Sequence, residues 1–300
     1  MPSGRFSSLV HCLLIATVLN IDSVSLACAS CGSGGDDPLI LYPNERLKVF
    51  VGLSEARDFR NIDPAGSEVT AGGPTAKQTL TSAIGYGIST RSFVTATQPY
   101  VRNVRGDASR SSFGDPSLAG RYSIFLQSFD DPYLPQVQIL YGYKHALSRS
   151  IHESKELKTL LDVYGTGFSE IRGGLDIWFG ITPIKPGISQ TFSLPQKRSF
   201  DGIEYRPGLI SRTTLSLGYG WSDSCKVTVG ANRESREHLK VDGIKQDSST
   251  QLNNSEFASV DIMTNSNNSW RLSASRQAAF GKNYNTSRSN NFGIAYMHSF

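Results

Sequence analysis

The 300-residue chain is poor in the residues that most soluble enzymes are built around. Cysteine occurs four times, methionine and tryptophan three times each, histidine five times, and only 19% of residues are charged. No paired CxxC motifs with zinc spacing, no H-E-x-x-H and no G-x-S-x-G occur, which removes the common metal and nucleophile signatures. The excess of 30 basic over 26 acidic residues is small and scattered, with no basic cluster interleaved with stacking aromatics. Nucleic acid is therefore excluded as a partner. No apolar run approaches the roughly 20 residues that a spanning helix requires. The longest, Leu9 to Leu19, is broken by His11 and Cys12.

That run follows Arg5 and precedes Ala27-Cys28-Ala29, the order of a charged n-region, an apolar core and a small-residue cleavage site. Residues 1–29 thus read as a secretory signal peptide. Ser25-Leu26 before Cys28 departs from the Leu-then-small order expected of a lipidated cysteine. Cleavage after Ala29 leaves Cys31 and Cys225, whereas cleavage after Ala27 retains Cys28-Ala-Ser-Cys31, as a disulfide, a remnant or a weak metal or redox pair. Cys28 and Cys31 are the only metal candidates, and no cofactor is expected. Residues 30–45 form a segment expected on the periplasmic side that is placed to plug a pore.

What the chain does have is glycine (28), phenylalanine (15), tyrosine (12) and alternation. About twelve segments alternate with period two, the mark of a half-buried strand: Leu47–Leu53, Leu80–Ile88, Phe93–Val101, Leu118–Leu126, Val137–His145, Ile171–Ile181, Ile188–Leu194, Leu209–Trp221, Cys225–Arg233, Phe257–Met263, Trp270–Ala278 and Phe292–Phe300. Short connections (89–92, 130–135, 182–187, 222–224, 265–269) take turns with long ones (55–76, 104–111, 147–166, 196–206, 234–256, 281–289). Short and long in alternation is the pattern of a transmembrane β-barrel with its termini in the periplasm. A short helix is expected at 154–161, within a long loop that would lid the outer mouth.

In each strand the charges fall out of phase with the apolar side chains. Lys48, Arg121, Lys144, Glu170, Arg172, Asp176, Arg212, Lys226, Asp261 and Arg271 are therefore assigned to the lumen, as either a packed network or a conduction and ligand path. The alternative frame would place Arg or Lys in lipid at about 2–4 kcal/mol each. Trp178 falls inward beside Asp176, and aromatic residues near strand ends, such as Tyr100, Tyr219 and Trp221, suit interfacial girdles. The final strand aligns Phe292, Ile294, Tyr296, His298 and Phe300 on one face and is expected to pair with the first. Tyr296 and Phe300 are the expected assembly signal, which makes outer-membrane lipid and the barrel-assembly machinery the expected partners. His145 with Ser148 and His152 with Glu153 lack any supporting motif, so no enzyme is expected.

Three segments, Gly114-Asp-Pro-Ser-Leu118, Tyr141-Gly-Tyr-Lys144 and Gly165-Thr-Gly167, resemble the bacterial outer-membrane proteins described as transporters of the MetA pathway of phenol degradation. The resemblance spans about residues 45 to 300. The Pro-Thr-Gly turn usual in that family is replaced here by Ala146-Leu-Ser-Arg149. The resemblance implies an outer-membrane β-barrel, residues 46–300, that passes small and hydrophobic molecules, and it carries over no binding residues. The competing reading from the residues alone is a non-conducting barrel whose loops contact other molecules.

Overall fold

The computed structural model describes residues 38–41, 45–69, 73–127, 133–181, 183–222 and 224–300. The expected signal peptide (residues 1–29), Cys28 and Cys31 lie outside them. Twelve strands form the wall: β1 Leu47–Ile62, β2 Ala76–Ser89, β3 Ser92–Arg105, β4 Ser117–Phe125, β5 Gln136–Lys144, β6 Glu170–Trp178, β7 Ile184–Pro195, β8 Ile210–Ser222, β9 Cys225–Arg236, β10 Gln251–Met263, β11 Asn268–Gln277 and β12 Thr286–Ser299. Each pairs antiparallel with its neighbour, and β12 returns to β1, so the sheet closes on itself. The protein is a transmembrane antiparallel β-barrel. Among the described residues no helix is long and apolar enough to cross a membrane.

The seam joins β1 and β12 from Lys48 opposite Ser299 to Ile62 opposite Thr286, with a bulge between Arg57 and Arg60. Phe300 extends it by donating its backbone N–H to the Leu47 carbonyl at 2.9 Å. Its ring is 67% exposed on the outer face. Removal of Phe300 is expected to lower the yield of heat-modifiable, membrane-inserted barrel several-fold while export continues. Fractionation followed by gel mobility with and without heating checks this, and unchanged insertion would count against it.

Alternation translates directly into two faces. Val51, Leu53, Leu80, Ile84, Leu215, Leu217, Leu272 and Ile294 are exposed on the outside. Apolar surface of this kind is stable only against lipid or a protein partner. The inside holds Lys48, Thr95, Arg121, Gln138, Asp176, Thr214 and Lys226, all buried.

The structure corrects the strand ends and the long loops. β1 continues to Ile62, and the expected loop at 104–111 is a hairpin in which Ala108–Phe113 pairs back along β3. The regions 196–206 and 234–256 carry a separate four-stranded sheet, Arg198–Phe200, Ile203–Arg206, Lys240–Val241 and Ile244–Lys245. Barrel strands thus outrun the membrane at the long-loop end, because hydrogen-bond ladders continue after the apolar band stops. The helix expected at 154–161 is absent: the one helical turn in that loop is the 3₁₀ turn Ile151–Glu153.

Candidate functional site

The lumen is occupied at both ends. At the short-turn end, Leu39, Ile40 and Leu41 form one buried cluster with Phe50, Ala83, Phe93, Ala295 and Met297 of the inner wall. Glycine makes room for it, since a Cβ at Gly85 would stand 2.4 Å from Leu41 Cδ1. The segment is also tied by polar contacts. Lys48 Nζ donates to the Ile40 carbonyl at 3.3 Å and pairs with Glu45 at 3.0 Å, and Ser299 Oγ donates to Glu45 at 2.6 Å.

At the long-loop end, residues 145–169 fold inward and are organised by two carboxylates. Asp115 Oδ1 accepts from the backbone of Leu147 and Ser148 and from Ser148 Oγ, and its Oδ2 accepts from the Thr166 N–H. A Cβ at Gly165 would lie 2.3 Å from Asp115 Oδ2, and Gly167 has φ +75°, a conformation that side-chain-bearing residues rarely adopt. The three glycine-containing segments singled out in the sequence meet here, because Lys144 also donates to Thr166 Oγ1 at 3.1 Å. The second carboxylate, Asp162, accepts from Ser154 Oγ, the Lys155 N–H and Arg149. Burial opposes its charge, but these donors outweigh burial and hold the carboxyl below its ordinary range. Asn103 of β3 anchors the loop to the wall by donating to the Leu161 and Val163 carbonyls at 3.1 and 2.8 Å. His152 packs among Phe168, Phe200 and Tyr205. Burial pushes its imidazole below the ordinary value, with Glu153 opposing.

Between the two ends lies a cavity of about 230 Å³ against β4 to β9. Five cationic side chains line it (Arg121, Lys144, Arg172, Arg212, Arg236) against three carboxylates (Glu170, Asp176, Glu234), so cations outnumber anions. Most of these charges are paired. Arg121 donates to Asp176 at 2.5 Å with both side chains almost fully buried, and to Gln138 at 3.5 Å. Lys144 pairs with Glu170, which Arg172 also approaches at 3.6 Å. Arg212 pairs with Glu234 through Nε at 2.9 Å.

The remaining lumen candidates lie outside this cavity. Arg271 Nε donates to Asp261 at 2.6 Å, and Lys226 stands opposite Asp261 across β9 and β10. Lys48 belongs to the short-turn end. All ten candidate charges are buried or half-buried on the inner face. Trp178 is buried beside them, its ring lying where a Cβ on Gly187 would come within 2.3 Å.

Glu234 and Arg236 do not stand out in the sequence because the region from 234 onward reads as loop. Continuing the alternation of Lys226 along β9 would have found both. Among the described residues no group of three or more His, Cys, Asp or Glu is placed to hold a metal ion.

No family model matches the chain, and no curated protein matches it in sequence. Among solved structures, the COG4313 outer membrane channel from Pseudomonas putida F1 aligns with a TM-score of 0.68 at 9% identity, covering 89% of this chain and 99% of that one. The translocator domain of autotransporter NalP from Neisseria meningitidis aligns with a TM-score of 0.50 at 11% identity, covering 85% of this chain and 88% of that one. At these identities the likeness establishes the fold, a closed barrel of the kind seen in outer-membrane channels.

Proposed function

We propose that the protein is a non-enzymatic channel of a Gram-negative outer membrane that passes or binds small molecules, kin to the phenol-pathway transporter-like barrels that its glycine-containing motifs resemble. The observation that carries this reading is the charged, cavity-containing lumen inside a wall whose outer face is apolar. A barrel that served only as a scaffold would be expected to fill its interior with side chains. In this reading the cleaved leader directs export, outer-membrane lipid surrounds the wall, and the barrel-assembly machinery inserts the chain through its last strand, Tyr296 and Phe300 included. Liposome swelling and single-channel recording on refolded protein test it. Measurable permeability to small solutes is expected, and impermeability to all of them would reject transport.

The occupied ends favour a gated path over an open one and give the non-conducting alternative its one supporting observation. A double substitution Leu39→Glu and Leu41→Glu separates the two. Burying two carboxylates against Phe50, Phe93 and Met297 is unfavourable by several kcal/mol, so the segment should leave the lumen. Conductance is then expected to rise several-fold over wild type. No rise in a folded variant would favour the sealed barrel.

A further inference from the structure

We infer that the lumen cavity is a binding site for a small monocarboxylate with an apolar body, anchored by Arg236. This inference rests on the channel reading and names the class of molecule its interior recognises. Three observations carry it. First, the Arg236 side chain lines the cavity but makes no hydrogen bond or ion pair with any described residue, and its Nε is buried without a partner. Every other guanidinium and the one ammonium lining the cavity have a wall carboxylate within reach. The guanidinium is half-buried with its Nε shielded from solvent and unsatisfied, and a bound anion would supply that missing acceptor.

Second, strand register places a second cation on the same level. Arg172 of β6 stands opposite Ser193 of β7, Ser193 opposite Ile210 of β8, and Ile210 opposite Arg236 of β9. These four inward residues form one row, and at about 4.8 Å per strand step its two arginines are about 14 Å apart along a concave wall. Arg172 approaches Glu170 at 3.6 Å, the carboxylate that Lys144 also pairs with. The row therefore has positive charge at both ends with a hydroxyl, Ser193, between them.

Third, the same cavity presents the buried side chains of Leu140 and Ile210. A hydrated inorganic anion gains nothing from these, whereas an organic acid buries its apolar part on them. A planar carboxylate also matches the two parallel N–H donors of a guanidinium. The cavity of about 230 Å³ limits the ligand to a small molecule.

The test uses the full-length refolded barrel, with folding checked by heat-modifiable gel mobility and with sodium hexanoate and neutral hexanamide as probes. Isothermal titration calorimetry is expected to show hexanoate binding and no detectable hexanamide binding by wild type. Arg236→Gln should weaken hexanoate at least about tenfold, the usual scale for losing a charge-assisted hydrogen bond. Arg236→Lys, which keeps the charge and loses the fork, should fall between. Equal affinity for the two probes, no hexanoate binding by folded wild type, or unchanged affinity in Arg236→Lys and Arg236→Gln would each overturn the site. The wild-type comparison stands even if one variant fails to fold. Hexanoate binding in a barrel that shows no solute permeability would instead reject the channel reading and leave the site intact.

Discussion

Replacing Asp176 by leucine is expected to destabilise the folded barrel by about 3 kcal/mol or more, the usual cost of stranding one member of a buried ion pair. Asp176 is 1% exposed and Arg121 3% exposed. The contact of Arg121 to Gln138, at 3.5 Å, is too long to replace a charge-assisted bond. The double variant Arg121→Leu, Asp176→Leu should recover most of the loss, because two apolar side chains in place of a buried pair are often neutral. Urea unfolding of the liposome-inserted protein, followed by tryptophan fluorescence, measures both. A midpoint unchanged by Asp176→Leu alone would show that the pair is hydrated and adds nothing to stability.

On the opposite face, Ile84→Arg is expected to cost about 2–4 kcal/mol, the range for a cation at the centre of the lipid-facing band. Ile84 lies between Val49 and Ala96 in the ladder and is 49% exposed. An outward residue just above the apolar band gives the control. Glu55 stands opposite Gln78 and pairs with Arg57 at the surface. Glu55→Gln should change stability by less than about 1 kcal/mol, as exposed ion pairs do. Equal effects at the two positions would mean that the outer face does not meet lipid where the alternation places it.

Much of this was legible in the chain. The run Leu47-Lys-Val-Phe-Val-Gly-Leu53 shows which side chains leave the wall and which enter it, since opposite faces follow from period two within a single strand. The same parity places Arg121, Asp176 and Arg271 inside without reference to any partner. Where the apolar band ended, the signal faded. Ile62, Glu234 and Arg236 continue their strands past the lipid, where the outer face no longer needs apolar residues, so the sequence reads there as loop. The segment 154–161 has helix-forming residues, yet Asp162 draws its backbone and hydroxyl donors into turns instead, a tertiary contact that overrides local propensity.

The sequence by itself determined a closed β-barrel with a charged interior and an apolar exterior, because alternation is a local property that each strand carries alone. Only the tertiary structure decided which charges neutralise one another. Arg212 reaches Glu234 and Lys144 reaches Glu170 because the register of each neighbouring strand pair sets them directly opposite one another. Arg236 is left over for the same reason: the docking of β9 beside β8 set its row, and among the described residues no carboxylate pairs with it. Likewise, the lumen admits Leu39 and Leu41 only because β2 presents Gly85 at that level, a juxtaposition that exists only once the sheet has curved and closed.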